Sequence, residues 1–523
     1  MKNFNTFGVM IDMSRNAIMT VEALKQYLTL LKKMGYNAVM LYTEDTYEVD
    51  GEPYFGYMRG RYSKAELKEI DDFCLELGME AIPCIETLAH LDTAFHWGKI
   101  PKDCDNILLV DDERTYELID RMFSTLSQCF RSRRINVGMD EAHMLGRGKY
   151  LDLHGYVPSS EILRRHLSRV CDIAKKYGYE LMVWSDMFFG DYSKKDFTEP
   201  DEEIKKLLEA VTPIYWDYHI TSKKEYSDKI QKHQKISKKT WYAGASWGWF
   251  GMIPYNGFTM KAMIPAMDAC REHKLKNVFI TMWGDYGAEC ARYALLPSLF
   301  YIAQYAKGER DEEKIKRKFR SLVGMDFDDF MKIDLPNYVE PYSGLPRNPS
   351  KYMMFSDYFN GFLDYTVKEG LGERYLEIAN ELSAVAKKSR KYGYVFDSAA
   401  KLSYFLAVKY ELGVKTRRAY KSGDLDCLRN LALNDYTKAE RLLREYISAF
   451  EKQWMKENKP QGFDPHETRL GGLLLRTASC KKRILDYTSG KLDKIDELDE
   501  ELLPFGQEGR TMLYNGTFTP NWR

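Results

Sequence analysis

Residues 133–150 read RRINVGMDEAHMLGRGKY: a short apolar run closes on Gly138-Met139, and two acids, Asp140 and Glu141, follow side by side. Neighbouring side chains on an extended strand point to opposite faces, so two adjacent acids can serve one site only where the strand bends away. In isolation such a pair is usually a solvated helix start, as in the IDD of residues 70–72. Here the other apolar runs of the first 300 residues also end in reactive side chains. They deliver Asp12 and Arg15; Thr43, Glu44 and Asp45; Glu86 and His90; and Trp184 and Asp186. The later runs deliver Trp216, Asp217 and Tyr218; Trp247 and Trp249; and Trp283 and Asp285. The collection is acids, one arginine, one histidine and a ring of tryptophans. It contains no Ser-His-Asp order, no glycine-rich phosphate turn and no H-x-x-x-H or comparable ligand spacing, so neither a metal nor a cofactor is expected. Carboxylates between aromatic walls suit glycoside hydrolysis, in which one acid protonates the leaving oxygen, a negative charge steadies an oxocarbenium-like centre and flat walls hold the ring.

The elements that must position these residues alternate in type. Eight β-branched or apolar runs begin near residues 7, 37, 79, 134, 180, 212, 240 and 277. Between them lie amphipathic helical patterns such as TVEALKQYLTLLKKMG, with Thr20 placed to cap the N-terminus and Gly35 where a left-handed C-terminal glycine belongs. SKAELKEIDDFCLELG and SSEILRRHLSRVCDIAKKYG repeat the scheme. Eight strand–helix units over about 300 residues match a (β/α)8 TIM barrel, whose chemistry sits at the carboxyl ends of its strands. An open doubly wound sheet would usually carry a glycine-rich turn after its first strand, and MIDMSRNA has none. Past residue 310 the strand signal stops and long amphipathic patterns take over, so the chain divides into a barrel over 1–308 and an α-helical C-terminal domain over 309–523. SLVGMDFDDFMKIDLPNYVEPYSGLPRNPSKY, punctuated by Pro, Gly and Asp, reads as the linker.

Composition excludes several classes. Of 523 residues, 77 are Lys or Arg and 77 Asp or Glu, which leaves no overall field to draw nucleic acid or an acidic membrane. No apolar run reaches the length of a membrane span, and the N-terminus lacks the apolar core of a signal peptide. Nine scattered cysteines without a C-x-x-C pair fit reduced thiols, and a cytoplasmic location is expected. The 9 Trp, 37 Tyr and 26 Phe supply packing and also faces on which sugar rings stack.

VGMDEAH after the fourth strand, together with MWGDY on the eighth, resembles the family 20 glycoside hydrolases, the β-N-acetylhexosaminidases. The resemblance covers residues 7 to 305, and the C-terminal helices resemble those of a compact bacterial branch without the N-terminal accessory domain. It implies exo-acting, retaining removal of terminal β-linked GlcNAc, with GalNAc as a further option, by substrate-assisted catalysis. Glu141 would then be the general acid and base, and Asp140 would orient the 2-acetamido group that acts as nucleophile. Burial against aromatics and a neighbouring acid should raise the proton affinity of Glu141. Trp283, Trp184 and Trp216 would wall the acetamido pocket, with Trp247 a further substrate-binding indole. Asp285 stands where the family has a glutamate for the outer hydroxyls. His90, with Glu44 or Asp45 as its acidic partner, would tune the general acid from behind.

The chain departs from the family pattern in three places. Asn136 replaces the histidine that opens the fourth-strand motif. Phe7 stands where an arginine is expected, with Arg15 the nearest substitute for recognising O3 and O4. The seventh-strand tyrosine that holds the acetamido oxygen is replaced by the tryptophans of ASWGWFG, and Tyr218, then Tyr215, are the candidates for its role. The expected partners are β-linked N-acetylhexosaminide oligosaccharides or glycoconjugates, and a homodimer stays open. The competing readings are a hexosaminidase of other specificity, lacto-N-biosidase-like; a non-catalytic sugar-binding barrel; and a metal-dependent sugar isomerase on the same fold, which the missing ligand spacing disfavours.

Overall fold

The structure is a computed structural model and describes residues 4–189, 200–340, 345–361 and 363–503. Eight parallel strands close into a barrel: β1 Thr6–Asp12, β2 Ala38–Tyr42, β3 Glu80–Cys84, β4 Arg134–Asn136, β5 Glu180–Trp184, β6 Thr212–Trp216, β7 Trp241–Ala245 and β8 Asn277–Met282. Each strand pairs with its sequence neighbour, and β1 pairs with β8 from Thr6↔Asn277 to Ile11↔Met282 to shut the ring. Every residue of β1, β2 and β7 is buried, as expected of strands covered on one face by barrel filling and on the other by helices.

A helix follows each strand, and local chemistry sets its ends. Val21–Met34 starts where the Thr20 side chain accepts from the Ala23 amide at 3.2 Å and stops at Gly35, whose φ of 115° is left-handed. Lys64–Glu76 opens with a reciprocal capping box between Ser63 and Glu66. Among the described residues no helix is long and apolar enough to cross a membrane.

Beyond Ala306 the described residues are mainly helical, led by Leu371–Lys388, Gly393–Lys421, Thr437–Glu457 and Asp464–Thr488. The stretch read as a linker is instead built into the fold. It forms the short helices Phe327–Met331 and Pro349–Phe355 and the turn Lys332–Asn337, because its apolar residues Phe327, Phe330 and Ile333 supply a buried face. Residues 341–344 of that stretch, and the tail past 503, lie outside the described residues.

The helical part packs on the loops at the carboxyl ends of the strands. The Thr20 and Arg292 amides donate to the Glu457 carbonyl and carboxylate at 3.1 and 2.7 Å. Asn348 Nδ2 donates to the Phe250 carbonyl at 2.8 Å, and buried Lys351 donates to the Tyr286 carbonyl and pairs with Glu289, both at 2.9 Å. The second domain therefore props the walls of the barrel mouth.

Candidate active site

The bend required for two adjacent acids is present. Gly138, Met139 and Glu141 have φ of 72°, 70° and 52°, so the chain leaves β4 through successive left-handed residues. Gly138 is required there twice over: its φ is positive, and a Cβ would lie 2.0 Å from Glu86 Oε2. Glu86, fully buried on the turn after β3, accepts from the Met139 amide at 3.3 Å and braces the bend. Burial, with Asp140 close by, pushes the Glu86 carboxyl up, so this brace favours its neutral form.

Asp140 is 7% exposed, with Oδ2 3.4 Å from His90 Nε2; its other oxygen, Oδ1, is buried with no hydrogen-bond partner among the described residues. Burial works against the charged forms of both groups, but their mutual attraction wins. The Asp140 carboxyl is held below the usual range, and His90 is pushed up to about 9. The pair is thus a carboxylate and an imidazolium at neutral pH. Glu141 Oε2 lies 3.7 Å from the same His90 nitrogen, but its side chain is 48% exposed. The expected burial of Glu141 is therefore not met: its carboxyl faces the open mouth because its own backbone turn lifts it past the strand end. Its amide donates to Asp186 Oδ2 at 2.9 Å, and Trp216 Nε1 donates to Asp186 Oδ1 at 3.1 Å. Burial, with Asp140 next, raises Asp186 to about 7.

Across the mouth, Arg15 gathers three acids: Asp12 and Glu44 at 3.3 Å and Asp285 at 3.6 Å. Burial raises Glu44 to about 7 and Asp285 to about 6, each against the pull of Arg15. The guanidinium lies 4.8 Å from the Tyr42 ring centroid and 5.4 Å from that of Trp283. Phe7 lies at the opposite end of β1, stacked on Phe4 and Tyr36, so it has no bearing on the mouth, whereas Arg15 lines it. Glu44 is not the partner of His90, as expected from sequence, but of Arg15, while Asp45 pairs with Arg59 at 2.9 Å.

These groups line one cavity of about 530 Å³. Arg15, Glu44, His90, Asp140, Glu141, Trp184, Trp216, Tyr218, Trp283 and Asp285 all reach it. Trp184 and Trp283 stand with ring centroids 6.0 Å apart, and the Nε1 of each is buried without a partner among the described residues. Trp247 is misplaced in the sequence reading. It is 1% exposed, packs behind Trp249 at 4.3 Å and against Phe258, and donates Nε1 to the Tyr218 carbonyl at 3.1 Å. The chain turns back onto helix Asn256–Glu272 at that point, which leaves Trp249 as the wall. Tyr215 is buried in the barrel against His233 and Tyr242, so of the two candidate tyrosines only Tyr218 faces the cavity.

Arg59, Asp92, Thr93, Phe250 and Tyr286 also line the mouth and escape a reading confined to strand ends. Arg59 lies 17 residues past β2 in the chain, with no local signal to bring it back. Among the described residues no three His, Cys, Asp or Glu side chains are grouped to hold a metal ion.

A closed parallel barrel with paired acids and indoles at the carboxyl ends of its strands has the layout that glycoside hydrolysis requires. Residues 326–515 match the Glycoside Hydrolase 20C C-terminal domain. The chain is 22% identical over 346 residues to human Hexosaminidase D, covering 58% of this chain and 66% of that protein. It is 22% identical over 338 residues to the bovine Hexosaminidase D, covering 58% of this chain and 92% of that one. Among solved structures it is similar to a β-N-acetylhexosaminidase at 14% identity and TM-score 0.48, covering 62% of this chain and 78% of that one. The family match is thus confined to the helical part, about a third of the chain, and the chain spans just under two thirds of the length of human Hexosaminidase D.

Proposed function

We propose that the protein is an exo-acting, retaining β-N-acetylhexosaminidase that removes terminal β-linked GlcNAc, and GalNAc where O4 is accepted, by substrate-assisted catalysis. The observation that carries this reading is the left-handed turn at 138–141, which brings both Asp140 and Glu141 to one cavity beside a shared His90. The terminal sugar stacks between the indoles, with its 2-acetamido group between Trp184 and Trp283. Glu141, in its acid form, gives its proton to the glycosidic oxygen as the bond to C1 breaks. The acetamido carbonyl oxygen attacks C1 from the opposite face and closes an oxazolinium ring. Asp140, kept anionic by His90, steadies the positive charge that builds on the acetamido nitrogen, and Tyr218, on the cavity wall, holds the attacking oxygen. Glu141, now a carboxylate, takes a proton from a water whose oxygen attacks C1 and opens the ring, giving the β-anomer. Arg15 and Asp285 meet the outer hydroxyls. The substrates would be β-linked N-acetylhexosaminide oligosaccharides or glycoconjugates.

The test is hydrolysis of p-nitrophenyl β-GlcNAc, β-GalNAc and β-glucoside by wild type, Asp140→Asn and Glu141→Gln. The expected result is cleavage of the acetamido sugars only, with kcat lower by about 10²–10⁴-fold in each variant. Cleavage of the glucoside at a similar rate would remove the acetamido group as nucleophile. Binding of GlcNAc without cleavage of any of the three would make the barrel a sugar-binding module.

A further inference from the structure

Two loops rise at the mouth beside Glu141. One follows β2 and carries Arg59; the other follows β3 and carries His90, Asp92 and Thr93. The same loops also carry a cluster of aromatic rings that are not among the residues lining the cavity. Tyr54 and Tyr57 have centroids 6.0 Å apart, and Trp97 lies 6.0 Å from the first and 5.0 Å from the second. Tyr54 is 43% and Tyr57 40% exposed, and Trp97 is half-buried. Grouped rings left in water on one surface mark a binding face rather than scattered exposure. The face is also held rigidly. Arg59, itself buried, donates to Asp45 Oδ1 at 2.9 Å and to the Ser14 carbonyl. Gly56 turns with φ of 65° where a Cβ would lie 2.0 Å from the Asp45 carbonyl oxygen. Turn bonds from Tyr57 to Tyr54 and from Arg59 to Gly56, both at 3.2 Å, complete the brace.

We infer that Tyr54, Tyr57 and Trp97 form a platform for the aglycone, stacking the sugar that follows the scissile bond in a β-linked oligosaccharide. The inference rests on the hydrolase reading of the cavity and deepens it. An exo cut leaves one ring inside, so the rest of the chain must leave through the mouth on the side of the proton donor. Glu141 Oε2 lies 3.7 Å from His90, which puts the donor against the β3 loop that continues through Thr93 to Trp97. Tyr57 is two residues from Arg59 and Trp97 four from Thr93, so at no more than about 3.6 Å per residue their Cα atoms stand within about 7 and 14 Å of residues that line the cavity, in reach of a short oligosaccharide. The apolar faces of pyranose rings stack on such aromatics, and an exposed Tyr–Trp pair loses little side-chain entropy in doing so. Lys99 Nζ, 5.6 Å from the Tyr54 centroid, adds a donor at the edge.

The test compares methyl β-N-acetylglucosaminide, whose leaving group is too small to reach the platform, with the β-1,4-linked trimer of N-acetylglucosamine. Kinetics are measured on the full chain and on Tyr57→Ala, Trp97→Ala and the double variant, with a thermal melt and sedimentation of each. The expected result is a ratio of kcat/KM, trimer over methyl glycoside, that falls 5- to 50-fold in the double variant and is carried mostly by KM. A ratio within twofold of wild type overturns the platform. So does a changed oligomeric state on sedimentation with the ratio unchanged, which would make the rings a protein contact. If wild type cleaves neither compound, the hydrolase reading fails by itself. The platform then stands or falls on calorimetric trimer binding, expected to weaken by at least fivefold in Trp97→Ala and overturned if it does not.

Discussion

His90 stands 3.4 Å from Asp140 and 3.7 Å from Glu141, so its charge is felt by both acids. Its folded-state value of about 9 lies above the ordinary 6.5, so the imidazolium persists through neutral pH, and the stability it contributes is full below about pH 6.5. They are lost as pH rises through about 9. Activity is expected to fall along that limb, measured as kcat between pH 6 and 10. His90→Gln should lower kcat at pH 7 by about 10²-fold and erase the limb, because Asp140 then loses its buried counter-charge. A second prediction concerns Gly138. Any Cβ there meets the Glu86 carboxyl group at 2.0 Å in a backbone conformation that L-residues avoid. Gly138→Ala should therefore cost about 2–4 kcal/mol, read as a lower midpoint in a urea titration, and should lower activity further than stability alone requires.

Loops decide which strand-end residues become a site. The strands, their order and the helix caps at Thr20, Gly35 and Ser63 were legible, because period, capping and glycine stops are local properties of the sequence. The acid pair was legible because its oddity, two neighbours serving one site, needs the turn that Gly138 makes possible. Pairings made across the mouth were not legible. Glu44 takes Arg15 and Asp45 takes Arg59, and nothing within a few residues of either acid distinguishes the two choices. Trp247 and Trp249 are equivalent in sequence, and only the return of the chain onto Phe258 sends the first inward. Phe7 was weighed against the mouth although its place on β1 is at the far end of the barrel. The loop after β8 shows what such elements depend on. Tyr286, Gly287 and Ala288 all have positive φ, and Lys351, from the helical part, holds the Tyr286 carbonyl and Glu289. Lys351→Met should cost about 3–5 kcal/mol by stranding the buried Glu289 carboxylate. Adding Glu289→Gln should recover part of that loss in a thermal melt, since the stranded charge is then gone.

At the scale of the molecule, barrel and helices share a seam that holds buried acids, Glu457 and Asp334 among them. Glu457 accepts from the Arg292 amide at 2.7 Å and from the Tyr394 hydroxyl at 2.8 Å. Asp334 accepts from Asn256 Nδ2 and the Gly257 amide, both at 2.9 Å. Burial raises each to about 7, so each contributes stability that is full below the ordinary carboxylate range and is lost as pH rises through 7. At about 1.4 kcal/mol per pH unit, each acid makes the seam weaker at pH 8 than at pH 5 by on the order of 3 kcal/mol. Glu457→Gln and Asp334→Asn should each flatten the fall of Tm between those pH values. The same seam makes removal of the helical part costly: a chain ending after Ala306 uncovers the loops that shape the mouth and should be recovered mainly as aggregate. The β1–β8 pairing carries one more consequence, for the growing chain on the ribosome. Ile11 meets Met282 across about 270 residues, which at about 5–20 residues per second is on the order of 15–50 s of synthesis during which the first strand waits for its last neighbour. Lys351 and Glu457 emerge later still. The mouth is thus among the last features of the newborn chain to become complete, and the open edge of β1 is what a nascent-chain chaperone would have to shelter until then.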